Sequence, residues 1–582
     1  MLIEITLLVL LLFLLVSNKF SPVHVFLFIF SLLLIIAPEP TQLLSYSMNP
    51  VIVSLAALYV VVGALVNTGA TQHVAALIMH KPKGPYIPKR ILVLTSLLSA
   101  FINNSPVVAM LTRIVQGHSR RYAISPSRWL LPISYASILG GTCTLIGTST
   151  NLIVDGMMQK ANGYEFHLFE IAYVGVPLVL VGWLYLRFVA HKLLPVREGS
   201  GEQFDHVREY MVEMLIQEGS ELDGKTIIDA GLRSLPGLFL VELEREGQVL
   251  SAVRPRTVLN AEDRLIFAGS PESVLELRNF RGLVLADDHR FKLEGDRGDR
   301  RLFEAVLSPS NSMLGKTIKE ARFRHRYSAV VLSVCRHGAR LRGRLGDIEL
   351  QAGDTLLIEA QKGFLFRYRN SQDFLLVSKF AETDQTDTKK ANISLSIFSV
   401  MIFLSGFGFL SIMQASIVAA MSMIFTRCIN FEDAGKSIDY SVLLVIGCAL
   451  GIGGAIETSG LAGSIAESVL GISSDPFILL VGIYLVTVCL TEIISNNAAA
   501  VIMLPIALSA ASALNLSPQA FAVAVMVAAS ASFMTPTGYQ TNLMVMGPGG
   551  YKFNDYLKVG APLSILVALI ALTIIPIAWP LN

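Results

Sequence analysis

"FINNSPVVAM" (Phe101–Met110) and "IISNNAAAVIM" (Ile493–Met503) each set paired amides deep inside a long apolar tract. Backbone and side-chain polar groups left unpaired in hydrocarbon are costly, so non-helical or amide-rich backbone at membrane depth must be buried in protein or line a wet cavity. The surrounding chain is oily enough to pose that problem. Of its 582 residues 53% are hydrophobic and 15% charged, where a soluble domain carries roughly 25% charge. Its mean hydropathy is +0.58. Several tracts reach the ~18 apolar residues of a membrane span. The chain therefore reads as a polytopic α-helical membrane protein, not an enzyme. A net charge of +2 without a basic run gives no sign of a nucleic-acid partner. Cys143, Cys335, Cys428, Cys448 and Cys489 lack metal or redox spacing. Leu2–Val16 has neither a basic n-region nor a small-residue cleavage site, and reads as a first span.

Charge divides the chain. Residues 1–200 and 390–582 are apolar; the stretch between them is polar, with short alternating runs such as "LFLVELE" and "DRLIFAG". Basic residues orient the halves, because cytoplasmic loops are enriched in Lys and Arg. Lys81, Lys83, Lys89 and Arg90 precede the tract 91–112; Arg113, Arg120, Arg121 and Arg128 follow it. Both flanks are then cytoplasmic, and 91–112 reads as a re-entrant hairpin with its tip at Asn103–Pro106. Spans at 2–16, 23–37 and from Val51 to His80 precede it. A span over 129–155 and another over 170–190 follow, and place residues 200–390 in the cytoplasm. In the second half, spans near 393–409, 411–426 and 438–456 lead to 476–510. That tract has no flanking Lys or Arg and reads as a second hairpin, entering from outside with its tip at Ser495–Asn497. Spans over 518–545 and 558–580 complete the set, with both chain termini outside. "PEPTQLLSYSMNP" reads as an external loop.

The second half repeats the first, inverted. "GALVNTG" matches "GAIETSG" at an offset of 391, "NNSPVVAML" matches "SNNAAAVIML" at 393, and "GTSTNLIV" matches "GYQTNLMV" at 391. Inverted repeats with interrupted helices mark secondary transporters that bind their substrate near the bilayer midplane. The polar insert also repeats. "GKTIIDA" (224–230) matches "GKTIKEA" (315–321), Gly247 matches Gly338, and Asp263 matches Asp354, each at an offset of 91. Two small α/β units are expected, over 203–290 and 300–385. "GKTI" lacks the upstream glycine spacing of a P-loop and reads as a turn leading into a helix.

Four interruptions carry the chemistry: the two tips, and the Gly/Thr-rich breaks "GGTCTLIGTSTN" (140–151) and "MTPTGYQTN" (534–542) within 129–155 and 518–545. Half-helix N-termini offer N–H donors and a positive dipole end to an anion. Freed carbonyls and Asn or Ser oxygens offer hard ligands to a small cation. The four are expected to converge on one central cavity. The motifs hold no Lys or Arg, so a mobile cation must balance an anionic substrate, and sodium suits oxygen-only ligands. Asp155 and Glu492 are the only acidic candidates nearby, neither at a tip. Glu492 reads either as a proton or cation site or as part of a hairpin stem.

At these residues the chain resembles the divalent anion:sodium symporter family, which carries Ser-Asn-Thr at each hairpin tip. Here the tips read Asn103-Asn104-Ser105 and Ser495-Asn496-Asn497. "FINNSPVVAML" and "GYQTNLMVMGPGGY" resemble its sulfate-permease-like branch. The two inserts resemble the C-terminal domain of RCK (TrkA-type) potassium-transport regulators. The resemblance spans nearly the whole chain. It implies a homodimer in the inner membrane whose transport domain moves as an elevator against a scaffold. It places sodium at Asn104 and Gly147 and again at Asn496 and Gly538. It places the substrate at Ser105, Thr148, Ser149, Asn497, Tyr539 and Gln540. It also implies regulation by a small-molecule or nucleotide effector at the insert, and no prosthetic group. Dicarboxylate-type members carry Thr-Pro-Pro-Asn after each break. Here those positions read Thr148-Ser149-Thr150-Asn151 and Tyr539-Gln540-Thr541-Asn542, which favours sulfate over an organic dianion. A di- or tricarboxylate symporter, a sodium/proton antiporter, an arsenite-type oxyanion exporter and a ligand-sensing membrane receptor are the competing readings. The receptor has no need of inverted hairpins.

Overall fold

The computed structural model describes all residues except 1, 18–21, 72–86, 123–124, 198–210, 233–237, 246–247, 252–255, 270–279, 281, 286–299, 337–338, 342–344, 362, 369–370, 372, 380–387, 461–462, 465–474 and 582. The chain divides into two compact units. One comprises 1–196, 384–546 and 551–582; the other comprises 197–383 and 547–550.

The first unit is helical. Its first half runs α1 (Leu2–Ser17), α2 (Pro22–Ile36), α3 (Pro40–Ser47), α4 (Pro50–Asn67), α5 (Lys89–Ser99), α6 (Asn104–Tyr122), α7 (Leu130–Gly141), α8 (Ser149–Asn162) and α9 (Ala172–Leu193). The insert contributes two short helices, α10 (Phe323–Tyr327) and α11 (Gly363–Tyr368). The second half runs α12 (Thr388–Gly406), α13 (Ile412–Phe425), α14 (Phe431–Ser437), α15 (Tyr440–Thr458), α16 (Pro476–Thr491), α17 (Asn496–Ala513), α18 (Pro518–Ser530), α19 (Gln540–Gly549) and α20 (Phe553–Ala578). Each element of one half has a counterpart in the other. Packing repeats with them: α7 packs on α5, α6 and α9, as α18 packs on α16, α17 and α20. All of α7 and Ala520–Ser530 of α18 are buried. Among the described residues, Pro40–Asn67, Ala172–Leu193, Asn496–Ala513 and Phe553–Ala578 are each long and apolar enough to cross a membrane, and α14 with α15 forms a fifth candidate bent by 51°.

Several expected boundaries move. The loop "PEPTQLLSYSMNP" contains α3, because Pro40 and Pro50 both sit in the first turn of a helix, where no backbone N–H is missed. Its counterpart α14, also missed, carries Glu432 and Asp433 in its first turn and Lys436 in its last, charges that suit the helix dipole. The tract 91–112 is longer than expected. α6 continues through Arg113 to Tyr122, since nothing in "TRIVQGHSRRY" breaks a helix before Pro126. α8 likewise passes 155 to end at Asn162 against Gly163, which is left-handed at φ +72°. α17 runs past 510 to Ala513, and α19 past 545 to Gly549. The span begun at Val51 is helical to Asn67; its continuation to His80, with Lys81 and Lys83, lies outside the described residues.

The second unit holds two five-stranded sheets. The first orders β3 (Gln248–Ser251), β2 (Leu238–Arg245), β4 (Arg264–Gly269), β1 (Met211–Ile216) and β5 (Leu283–Leu285). The second repeats that order with β8 (Ala339–Arg340), β7 (Ala329–Arg336), β9 (Thr355–Gln361), β6 (Arg300–Leu307) and β10 (Phe374–Lys379). Every pairing among the described strands is antiparallel, which the alternating runs could not specify. The 91-residue offset reappears as chemistry. Asp263 and Asp354, with fully buried side chains, each pair with an arginine, Arg245 and Arg336, at 2.7 Å. The hydrogen bond that the Arg336 guanidinium donates to Asp354 holds it above its ordinary pKa. Gly224 and Gly315, at φ +80° and +75°, make the left-handed turn that opens each "GKTI". Gly247 and Gly338 lie outside the described residues.

Candidate functional site

Between α5 and α6 the helix breaks at Ala100–Asn103; between α16 and α17 it breaks at Glu492–Ser495. These breaks begin slightly N-terminal of the stretches expected as hairpin tips, Asn103–Pro106 and Ser495–Asn497. Asn104 and Asn496 open the returning helices, and Pro106 sits within the first turn of α6. The other two breaks fall at Thr142–Thr148 and Ala531–Tyr539.

Each half repeats the same four hydrogen bonds at its two breaks, and one of them, donated by Thr144 or Thr535, ties the breaks together. Ser99 Oγ donates to Asn104 Oδ1, as Thr491 Oγ1 donates to Asn496 Oδ1 at 2.9 Å. Thr144 Oγ1 donates to the Ala100 carbonyl, as Thr535 Oγ1 donates to the Glu492 carbonyl at 3.1 Å. Gly147 N donates to Thr144 Oγ1 at 3.1 Å, and Gly538 N to Thr535 Oγ1 at 3.0 Å. Asn151 Nδ2 donates to the Thr144 carbonyl at 3.0 Å, and Asn542 Nδ2 to the Thr535 carbonyl at 3.2 Å. The amides and hydroxyls thus satisfy backbone that the helix interruptions leave unpaired.

The halves also meet each other. Asn104 Nδ2 donates to the Tyr539 hydroxyl, and Ser105 Oγ to Gln540 Oε1 at 3.3 Å. Ser149 Oγ and Thr150 Oγ1 both donate to Asn497 Oδ1 at 3.1 Å. Thr148 is buried beside them, with its hydroxyl 3.5 Å from that of Thr150. Each tip is thereby brought to the other half's helix break. Among the described residues, polar side chains on facing helix ends meet here by direct hydrogen bonds.

The oxygen sets fit a small hard cation. A Cβ built on Gly147 would lie 2.6 Å from the Gly141 carbonyl and 2.9 Å from the Ala100 carbonyl; one on Gly141 would lie 2.9 Å from Asn104 Oδ1. Asn151 Oδ1, in a residue 1% exposed, has no hydrogen-bond partner. In the second half a Cβ on Gly538 would meet Ser532 Oγ, with Thr535 Oγ1 at 2.9 Å and Glu492 Oε2 at 3.2 Å. Both glycines leave room among converging oxygens, as unwound carbonyls do where transporters hold sodium. Asn496 is half-buried at the edge of the second set.

Sequence reasoning missed Ser99, Thr491, Thr144, Thr535 and Ser532. For the first four the signal was the repeat offset, followed a few residues upstream of the amides; Ser532, whose counterpart is Gly141, carried none. Glu492 was read as a stem residue or an ion site. Its carboxylate accepts from Met534 N and Thr535 Oγ1, both at 2.8 Å, and so joins the second tip to the second break. Asp155 lies away from both tips, accepting from Phe166 N at 2.8 Å.

Residues 10–528 match the family model described as "Citrate transporter". A Chlamydomonas reinhardtii protein described as "Putative sulfur deprivation response regulator" is 35% identical over 90% of this chain and 92% of its own. A Synechocystis protein described as an uncharacterized transporter is 31% identical over 91% of this chain and 89% of its own. Sodium/sulfate cotransporter 2 of Chlamydomonas reinhardtii is 24% identical over 81% and 77%.

Proposed function

The chain belongs to the citrate transporter family and is a polytopic membrane transporter; from that premise we propose that it carries a small divalent anion, sulfate first, in symport with sodium. One observation carries this reading: the duplicated hydrogen bond that ties the first break of each half to its helix break, and the cross-bonds that join the two clamps. Such paired interruptions are how inverted-repeat transporters set ion and substrate sites between halves.

In this reading 91–112 and 476–510, with the extensions seen in α6 and α17, are re-entrant hairpins dipping from opposite faces. Asn104 and Gly147 hold one sodium with the carbonyls of Ala100 and Gly141. Asn496 and Gly538 hold a second, with Ser532, Thr535 and Glu492. The bound cation supplies the positive charge that a cavity without Arg or Lys lacks. The chain's own groups do the rest. Hydroxyls and amides of Ser105, Thr148, Ser149, Asn497, Tyr539 and Gln540 donate to the anion, and the N-termini of α6, α8, α17 and α19 face it with their dipoles. These neutral donors bind an oxyanion without an ion pair that would have to be broken for release. The names of the sulfur- and sulfate-related relatives support sulfate over the citrate of the family name. The transporter works as a homodimer in the inner membrane by an elevator motion, with both termini outside. Two cytosolic RCK C-terminal-like domains, 203–290 and 300–385, regulate it through a small ligand.

Counterflow of labelled sulfate in proteoliposomes, with and without a sodium gradient, tests this. Sodium-dependent sulfate flux is expected. Robust citrate, malate or succinate flux without sulfate flux would replace sulfate by a carboxylate, and flux driven by a proton gradient alone would remove sodium.

A further inference from the structure

Away from the clamps, the helical unit contains a cavity of about 380 Å³. It is within the ~300–1,000 Å³ range of small-ligand pockets. Its polar lining includes Tyr46, Asn49, Lys160, Asn162, Ser509 and Ser512, and Lys160 is the one charged residue among the described residues that line it. The Lys160 ammonium is fixed: it donates to the Ser45 carbonyl at 3.0 Å and to Ser45 Oγ at 3.3 Å, and lies 4.7 Å from the centre of the Tyr46 ring. An ammonium has three donors, so these two bonds leave it able to make another.

The cavity's position follows from chain direction. α8 begins at Ser149 and α17 at Asn496, both at the clamps, and the cavity is lined by Gly156–Asn162 of α8 and by Pro505–Ser512 of α17. At 1.5 Å per residue, it opens about 10 Å along both helices from the candidate substrate residues. The basic-residue pattern independently puts the C-terminal ends of α8, α15 and α17 and the start of α4 on the outer face. Asn162, Gly453, Ser512 and Asn49 in this lining belong to those four segments.

We propose that this cavity is the outer vestibule of the transport path, and that Lys160 is its fixed cation, drawing divalent oxyanions in before they reach the cation-free donors at the clamps. The proposal rests on the anion-transport reading above. A single sign of charge in a cleft with low-dielectric walls concentrates counter-ions and raises their on-rate. A surface point charge, unlike one at the binding centre, attracts the anion without having to release it there.

Two measurements on the full-length protein test it. In proteoliposomes, Lys160→Gln should raise the KM for sulfate about fivefold at low ionic strength with kcat kept, and Lys160→Arg should restore it. The gap should close as salt shortens the screening length from the ~10 Å it has at 0.1 M. A KM for Lys160→Gln that matches the parent at every ionic strength overturns the proposal. In a chain whose exposed Cys489 is replaced by Ser, Lys160→Cys should react with an impermeant thiol reagent from the outer face, slowed by sulfate. Reaction from the cytoplasmic face alone, or no protection by sulfate or malate, overturns it too. Outer-face reaction protected by malate, with no sulfate flux in the parent, overturns the sulfate reading and leaves the vestibule standing.

Discussion

The two clamps share four hydrogen bonds, but the second adds those that the Glu492 carboxylate accepts from Met534 N and Thr535 Oγ1, and the two differ in what lines them. Around Gly147 the oxygens nearest a built Cβ are the carbonyls of Gly141 and Ala100, neutral and fixed in the backbone, with the Thr144 hydroxyl accepting from Gly147 N. Around Gly538 they are the Ser532 and Thr535 hydroxyls and the Glu492 carboxylate, movable side chains with a formal charge. Two repeat-related substitutions explain the difference: Glu492 stands where the first half has Ala100, and Ser532 where it has Gly141. A shared scaffold thus carries one neutral and one charged cradle. Main-chain oxygens tolerate no local change, whereas side chains can turn away or be exchanged.

That contrast can be broken by substitution. The largest effect is expected at Gly147→Ala, whose Cβ meets backbone that cannot retreat. It should abolish uptake and cost up to about 3 kcal/mol of stability, the usual upper range for overpacking. Gly538→Ala should cost less, since its nearest obstacle is the Ser532 hydroxyl, and adding Ser532→Ala should recover most of the loss. Thermal unfolding in detergent reads both. Next comes the hydroxyl pair. Thr535→Val removes a bond to a carboxylate and should cost about 1.5–3 kcal/mol, where Thr144→Val, losing a neutral bond, should cost about 1 kcal/mol. Equal losses would erase the distinction between the cradles.

Glu492→Gln keeps an acceptor for Met534 N while removing the charge. The sodium concentration giving half-maximal thermal stabilisation should rise about tenfold, equivalent to ~1.4 kcal/mol. No change would show that the carboxylate serves only to hold the break. The smallest effect is expected at Ser105→Ala. Its 3.3 Å bond to Gln540 is long and exposed, so sulfate KM should move less than about threefold, as for a weak exposed contact.

The sequence showed the repeats and the breaks because both are local signals. An offset near 391 recurs at three places, and Gly, Pro and Asn interrupt helices wherever they cluster in apolar tracts. What it hid was pairing across distance. Ser99 and Thr491 look like ordinary helix serines and threonines, which commonly bond back to their own helix. Only the fold shows them turned to Asn104 and Asn496. Glu492 finds Met534 and Thr535 more than 40 residues on. The short helices α3 and α14 were masked by prolines in one case and charges in the other. In the insert, Asp263 and Asp354 stood out by repetition, but their arginine partners, 18 residues upstream in each copy, did not.

The central claim is that the two halves are antiparallel copies whose broken segments enter from opposite faces. Sided labelling tests it most directly, using an impermeant thiol reagent on oriented vesicles and the Cys489→Ser background. Gly117→Cys near the end of α6 and Lys89→Cys at the start of α5 should both react from the cytoplasmic face. Ala513→Cys at the end of α17 should react from the outer face. Reaction of Lys89→Cys and Gly117→Cys from opposite faces, or of Gly117→Cys and Ala513→Cys from the same one, would contradict the account.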